Sequence, residues 1–163
     1  MALESPIESS KADQVADFER AKAFSLEYME VMPADGYAFK PTEENTRSFA
    51  QQFLHLAGAN FGLTSMITGG ENPIGEKKIE QDESSQTKEA SMKLVSDSYD
   101  HVISSIKALS EEQYNERIKL FGQFDVTRAQ ALQKIFEHGT HHRGQATIYL
   151  RLKGVTPPAE KLF

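Results

Sequence analysis

The sequence predicts an all-α protein built as a four-helix bundle. Apolar residues recur at helical spacing through four segments of roughly 20–27 residues, three of these segments end on proline or glycine, and no stretch reads as a convincing strand. Helices of that length span about 30–40 Å at 1.5 Å per residue, the dimension of a bundle.

The first helix is predicted over residues 10–32, where Val15, Phe18, Ala21, Leu26 and Met29 keep a mostly apolar spacing. Pro33 stops it, because the residue before a proline is pushed out of the α region. Residues 34–41 (ADGYAFKP) read as a loop. Thr42 is the expected N-cap of the second helix, with Glu43 and Glu44 in its first turn, where carboxylates suit the helix dipole. Its stripe is Phe49, Phe53, Leu56, Leu63 and Ile67, interrupted by Asn60, and Gly69-Gly70 ends it.

Residues 71–84 are polar, contain Pro73 and Gly75, and read as an exposed linker. The third helix is expected over 85–108, with Met92, Val95, Tyr99, Val102 and Ile106 on one face. In the next connection, 109–124, Ser110-Glu111-Glu112-Gln113 looks like a helix start, but Gly122 follows soon and one short extra turn is expected. The fourth helix opens near Asp125 or Thr127. Thr127 and Gln130 fit a capping box, in which two unpaired N–H groups are satisfied reciprocally. It runs to about Lys153, where Gly154 and then Pro157-Pro158 supply the stop. Both later connections are long enough to run the length of a bundle, so the spacing alone does not impose an up-down-up-down order.

The 163 residues suit one domain, expected over 10–163 behind a flexible N-terminus at 1–9. Eighteen Lys and Arg against 24 Asp and Glu give a net charge of −6. That sign disfavours nucleic-acid and anionic-membrane partners, whose affinity comes from clustered basic residues. Cysteine is absent, which excludes disulfides, thiolate metal sites, Fe–S clusters and a cysteine nucleophile, and leaves oxygen and nitrogen donors for any metal. No apolar run approaches the roughly 18 residues of a membrane span, and the N-terminal ten residues lack the charged start and apolar core of a signal peptide, so a cytoplasmic protein is expected.

Five histidines carry the chemistry: His55, His101, His138, His141 and His142. His138 and His142 stand at i and i+4, on one helix face shared with Ala131, Ile135, Gln145, Tyr149 and Leu152, and form a natural two-point metal clamp. Imidazoles on such a stripe are costly to bury unless hydrogen-bonded or coordinating. His138 and His141, at i and i+3, are a second geometrically possible pair, and the spacing leaves that choice open. Gly139, in mid-helix beside them, suggests the close approach of another group.

A transition-metal site needs a third ligand. His55 is the best candidate; it lies on the flank of its helix, about 100° from the Leu56 stripe, with the small residues Ala59 and Gly62 following it. It should therefore point into a cleft between helices. His101 is expected to be solvated. No Glu precedes a histidine by three residues, so a di-iron bundle is excluded, and HExxH, GxSxG and the glycine-rich phosphate loops are absent. Glu137 and Glu44 are the candidates for a general base only by nearness in sequence, and surface roles suit both better.

The segment HGTHHRGQATIYLRLKGVTPP resembles the closing helix of the DinB-like (DinB/YfiT-type) metalloenzyme family. PADGYAFKPTEENTRSFAQQFLHLAGAN resembles that family's join between the first two helices, with its mid-helix histidine, and the likeness covers roughly residues 10–155. The resemblance implies a bundle of up-down-down-up order with long crossovers, often a homodimer. It also implies a divalent metal, Zn or Ni, held by His55, His138 and His142, with His141 a neighbour only. Arg143, Gly144 and Gln145 complete the motif in structural roles: Arg143 is expected to tie the helix to an acidic partner and Gln145 to orient His142 or line the site. Related activities suggest an open metal site that activates water or a thiol in a transferase or hydrolase, with a low-molecular-weight thiol as cosubstrate, since this chain has none of its own. The alternative is a non-catalytic metal-binding bundle, a stress-related or dimerisation module.

Overall fold

The computed structural model describes residues 10–163; the expected flexible N-terminus, 1–9, lies outside the described residues. Helix α1 (Lys11–Val31) starts at a capping box in which Ser10 Oγ accepts from the Asp13 N–H and an Asp13 carboxylate oxygen accepts from the Ser10 N–H. Met32, extended before Pro33, ends it.

Helix α2 (Phe49–Thr68) begins later than Thr42, its expected cap. The sequence holds a second and stronger signal, Ser48-x-x-Gln51, and both bonds of that capping box are formed. The preceding loop also docks on the helix start: Phe49 N–H donates to Phe39 O and Ala50 N–H to Tyr37 O, both at 3.0 Å. Thr42 instead closes a loop turn, its hydroxyl on the Glu44 carbonyl. Gly69, at φ 74°, is the left-handed cap that ends α2.

Residues 71–84 depart from a wholly exposed linker, because Ile79 is 2% exposed and packs into the core. That one apolar residue pins the crossover against the bundle. Helix α3 (Lys88–Ala108) follows a Thr87 cap, and the expected extra turn is α4 (Glu111–Asn115).

Next comes an element that the sequence reading lacked, an antiparallel hairpin of β1 (Arg117–Leu120) and β2 (Phe124–Thr127), paired from Arg117↔Thr127 to Leu120↔Phe124. Ile118 and Leu120 turn towards the core and Arg117 and Lys119 away, a period of two too short to stand out. Phe121 and Gly122 both take positive φ, 53° and 72°, in the reversal. Helix α5 (Arg128–Leu152), the fourth long helix, opens at the Thr127–Gln130 capping box.

Specific contacts fix the helix directions. Asn60 meets Ser98 and Ser65 meets His101, so α2 and α3 run parallel. Ser25 meets Tyr99, while Lys107 reaches back to Glu19, so α1 and α3 are antiparallel. Gln52 meets Tyr149, while Arg128 donates to the Ile67 carbonyl, so α2 and α5 are antiparallel. Gln14 meets Ala129 and Tyr28 meets Thr147, so α1 and α5 are parallel. The order is up-down-down-up. Phe18, Phe53, Leu56, Val102, Leu132, Ile135 and Leu150 fill the centre, each at most 1% exposed. Leu152, expected on the inward face of the last helix, is 59% exposed, because the stripe leaves the core at that end.

Candidate metal centre

Antiparallel packing of α2 on α5 carries His55 to His138 and His142. The three imidazoles each offer a ligand atom, and these atoms all lie within 4.8 Å of one another. His142 is buried, and His55 and His138 are half-buried. His141, one residue away, is exposed, and its Nε2 faces the Gln145 amide at 2.9 Å. The structure therefore groups the i, i+4 pair with His55 and leaves the i, i+3 alternative apart. Gln145 serves His141, not His142 as expected.

A relay of hydrogen bonds sets the tautomer of His142. The Tyr149 hydroxyl donates to the Arg47 carbonyl at 2.9 Å and accepts from Gln52 Nε2 at 3.0 Å. That orientation leaves Gln52 Oε1 as an acceptor 2.7 Å from His142 Nδ1, which must then carry the proton. His142 Nε2 is bare. On His55, Nδ1 faces both Glu80 Oε2 at 2.9 Å and Arg47 Nη2 at 3.3 Å; the carboxylate is the nearer partner and takes an Nδ1 proton, while Arg47 Nε donates to Glu80 Oε1 at 2.6 Å. His55 Nε2 is also left as the free lone pair.

One nitrogen of each ring lies within 4.8 Å of the others. His138 Nε2 stands 3.1 Å from His142 Nε2, a distance at which a proton or a cation must lie between two imidazole nitrogens. His138 Nδ1 is buried without a hydrogen-bond partner. Burial first, and then the neighbouring imidazoles, push His138 down to about 4 and His142 down to about 3. Both are neutral near pH 7, the state in which histidine coordinates a metal. Three clustered imidazoles, two of them held neutral, suit a divalent transition metal.

The site opens on a cleft of about 660 Å³. Gly58, Ala59 and Gly62 of α2 form one side, Ile74–Gln81 of the crossover the other, and His55 and His138 reach into it. The flank position of His55 predicts a cleft between helices; His55 does face a cleft, but its outer wall is the crossover instead of a neighbouring helix. Gly139 also has its close neighbour: a Cβ there would stand 3.3 Å from the Tyr99 hydroxyl and 3.7 Å from Leu56 Cδ1.

Other expectations change. His101 is not freely solvated; its Nε2 lies 3.1 Å from Ser65 Oγ, its ring leans on Phe61, and burial lowers its pKa. Arg143 meets no carboxylate among the described residues. Its guanidinium lies over the Phe24 ring at 4.7 Å and donates to Ser25 Oγ, so an aromatic face and a hydroxyl take the place of an acid. Glu137 pairs with Lys134 on the surface, and Glu44 is exposed in the loop before α2. The carboxylate at the site is Glu80, which sequence reasoning missed along with Arg47, Gln52 and Tyr149. Its signal was the apolar Ile79 beside it in an otherwise polar linker.

No helix among the described residues is long and apolar enough to cross a membrane. The model of the DinB family matches residues 10–162. A protein of Bacillus subtilis strain 168, "Uncharacterized protein YjoA", is 27% identical over 147 residues, 87% of this chain and 90% of that protein. A crystal structure of a DinB-like protein from Bacillus cereus ATCC 10987 superposes with a TM-score of 0.76 over 95% of this chain and all of that one, at 12% identity. The structure of the B. subtilis DinB-like protein YjoA gives 0.69 at 24% identity, over 92% and 96% of the two chains.

Proposed function

The chain belongs to the DinB family, and we propose that His55, His138 and His142 hold a divalent transition-metal ion, Zn²⁺ or Ni²⁺, in an enzyme that acts on a small molecule. The reaction class is transfer to or from a thiol, or hydrolysis. The carrying observation is the cluster of three histidine nitrogens, two of whose rings, His55 and His138, open on a 660 Å³ cleft instead of lying in a sealed core. Three protein ligands leave coordination positions open, as in catalytic rather than structural sites.

Bound there, such an ion supplies Lewis-acid activation of a thiol or a water. The chain's own residues do the rest. Glu80 and Gln52 hold the Nδ1 protons of His55 and His142 away from the site. Gly58 and Gly62 keep the α2 side of the cleft low enough for a ligand to lie against the helix, and Leu54, Leu63 and Ile79 make that bed apolar. With no cysteine in the chain, a thiol comes from a low-molecular-weight cosubstrate. A homodimer is part of this reading.

The test is elemental analysis of wild type and His142→Ala after dialysis against metal-free buffer, followed by turnover assays with small thiols and electrophiles. About one ion per chain, lost in the variant, with turnover that disappears on metal removal and returns on reloading, is the expected result. Turnover that survives complete metal removal overturns the enzyme reading. A tightly held ion without turnover or exchangeable water points to the non-catalytic bundle.

A further inference from the structure

The two positioned histidines are tied to each other through residues outside the triad. From His55 the path runs to the Glu80 carboxylate at 2.9 Å and on to the Arg47 side chain at 2.6 Å. The Arg47 carbonyl accepts from Tyr149, Tyr149 from Gln52, and Gln52 from His142, all within 3.0 Å. Five of these six residues sit on or beside α2 and α5, in the packed body of the bundle. Glu80 alone comes from the crossover.

That placement matters because the crossover is also the outer wall of the cleft. Ile74, Lys78, Ile79 and Gln81 line it beside Glu80. The wall is pinned by the buried Ile79 and by two amide donors on the Glu80 carbonyl, Gln86 at 3.1 Å and Gln51 at 3.5 Å. Among the described residues, the Glu80 side chain makes the wall's one hydrogen bond to the three histidines.

We propose that Glu80 is the positioning residue of the metal centre, and that through its bond to His55 the docking of the cleft wall and the loading of the metal are coupled. The inference rests on the three-histidine metal reading. A carboxylate accepting Nδ1–H fixes the ring, presents Nε2 and raises its basicity. Arg47 fixes the carboxylate in turn. Coupling is reciprocal, so an ion that favours the held orientation of His55 favours the docked wall by the same factor.

The experiment uses Zn²⁺ and Co²⁺ as probes on the full chain, with Glu80→Gln, Glu80→Ala and, as control, Glu83→Gln, an exposed carboxylate of the same crossover that does not line the site. Zn²⁺ affinity is measured by competition with a chromophoric chelator. The Co²⁺ visible spectrum reports ligand geometry, and hydrogen exchange reports the crossover. Loss of the carboxylate that holds His55 should weaken Zn²⁺ binding about 10- to 100-fold in Glu80→Ala, less in Glu80→Gln, which keeps an acceptor, and not at all in Glu83→Gln. The Co²⁺ bands should shift in both Glu80 variants. Zn²⁺ should slow exchange across 74–82 in wild type and not in Glu80→Ala.

If Glu80→Ala does not fold, Glu80→Gln decides the affinity and the spectrum. Wild-type affinity and spectrum in both variants overturn the positioning role while the metal site stands. Exchange across 74–82 that Zn²⁺ leaves unchanged in wild type overturns the coupling. A wild-type chain that binds neither ion overturns the metal reading itself.

Discussion

Removing the metal and lowering the pH should expose a specific weakness of the fold. In the absence of metal, His138 and His142 titrate at about 4 and about 3, whereas an unfolded chain protonates its imidazoles near 6.5. Above that value folded and unfolded chains both hold these rings neutral, and their titration contributes nothing. Below it the unfolded chain takes up protons that the folded chain refuses, so stability falls as pH drops from 6.5 towards 4. Each group contributes about 1.4 kcal/mol per pH unit in that window, so two independent groups lose about 4 kcal/mol between pH 6.5 and pH 5. The rings are not independent: the two Nε2 atoms, 3.1 Å apart, can share a first proton, which relieves part of the penalty. A loss of about 2–4 kcal/mol follows, a large share of a typical domain's 5–15 kcal/mol. Urea denaturation monitored by circular dichroism, in chelator at pH 7 and pH 5, measures it directly. His101, also lowered by burial, adds a share that should survive in a His138→Gln/His142→Gln double variant. Asp82, held low chiefly by the Ser85 hydroxyl, acts only at much lower pH. An equal pH 7 to pH 5 loss in wild type and double variant would refute the reasoning.

Three further outcomes are expected. Gly58→Ala and Gly62→Ala have open space for the new Cβ and sit in mid-helix, so each should stabilise by up to about 1 kcal/mol, read as a rise in thermal midpoint. Both methyls intrude on the cleft, so small-molecule turnover should fall while Zn²⁺ affinity holds. Gln52→Leu strands the buried His142 Nδ1–H, which should cost about 1–3 kcal/mol in urea denaturation, and chelator competition should show roughly 10- to 100-fold weaker metal binding. Ser48→Ala breaks the capping box of α2 and should cost about 0.5–2 kcal/mol, whereas Thr42→Ala should change the denaturation midpoint little.

That last contrast marks how far the fold was legible. Long helices are announced by local signals, and the ends of α1 and α5 follow from caps three or four residues long. The start of α2 is not local. Thr42 and Ser48 both look like caps, and the choice falls to Ser48 because residues 37–39 fold back to satisfy its first turn. The hairpin between α4 and α5 hides for another reason: four residues per strand leave too few inward positions to show a period of two, Ile118 and Leu120 on β1 and, with Phe124 exposed, Val126 on β2. Charge misleads in a third way. A buried arginine suggests a carboxylate, yet Arg143 rests on Phe24 and Ser25, residues of another helix that the motif does not mention.

The site divides along the same line. His138 and His142 are paired by helix periodicity, which any sequence displays. Their supporting groups come from 25 residues away for Glu80 on His55 and 90 for Gln52 on His142, separations that only the folded bundle closes. Gly139 joins the two levels. Its missing side chain leaves room for the Tyr99 hydroxyl, which bonds Ser25 of α1, and for Leu56, the neighbour of His55 on α2. A methyl there would stand 3.3 Å from the Tyr99 hydroxyl of α3, which would have to give by a few tenths of an ångström together with its bond to Ser25, whereas Leu56 of α2 at 3.7 Å would be in ordinary contact. The packing of α2 on α5 itself brings His55 to His138, with ring centroids 5.1 Å apart. The glycine inside the HGTHH run therefore leaves room for the Tyr99 hydroxyl of α3 between the paired histidines' helix and α1, and the motif carries, in its one absent side chain, a tertiary constraint as well as a histidine pair.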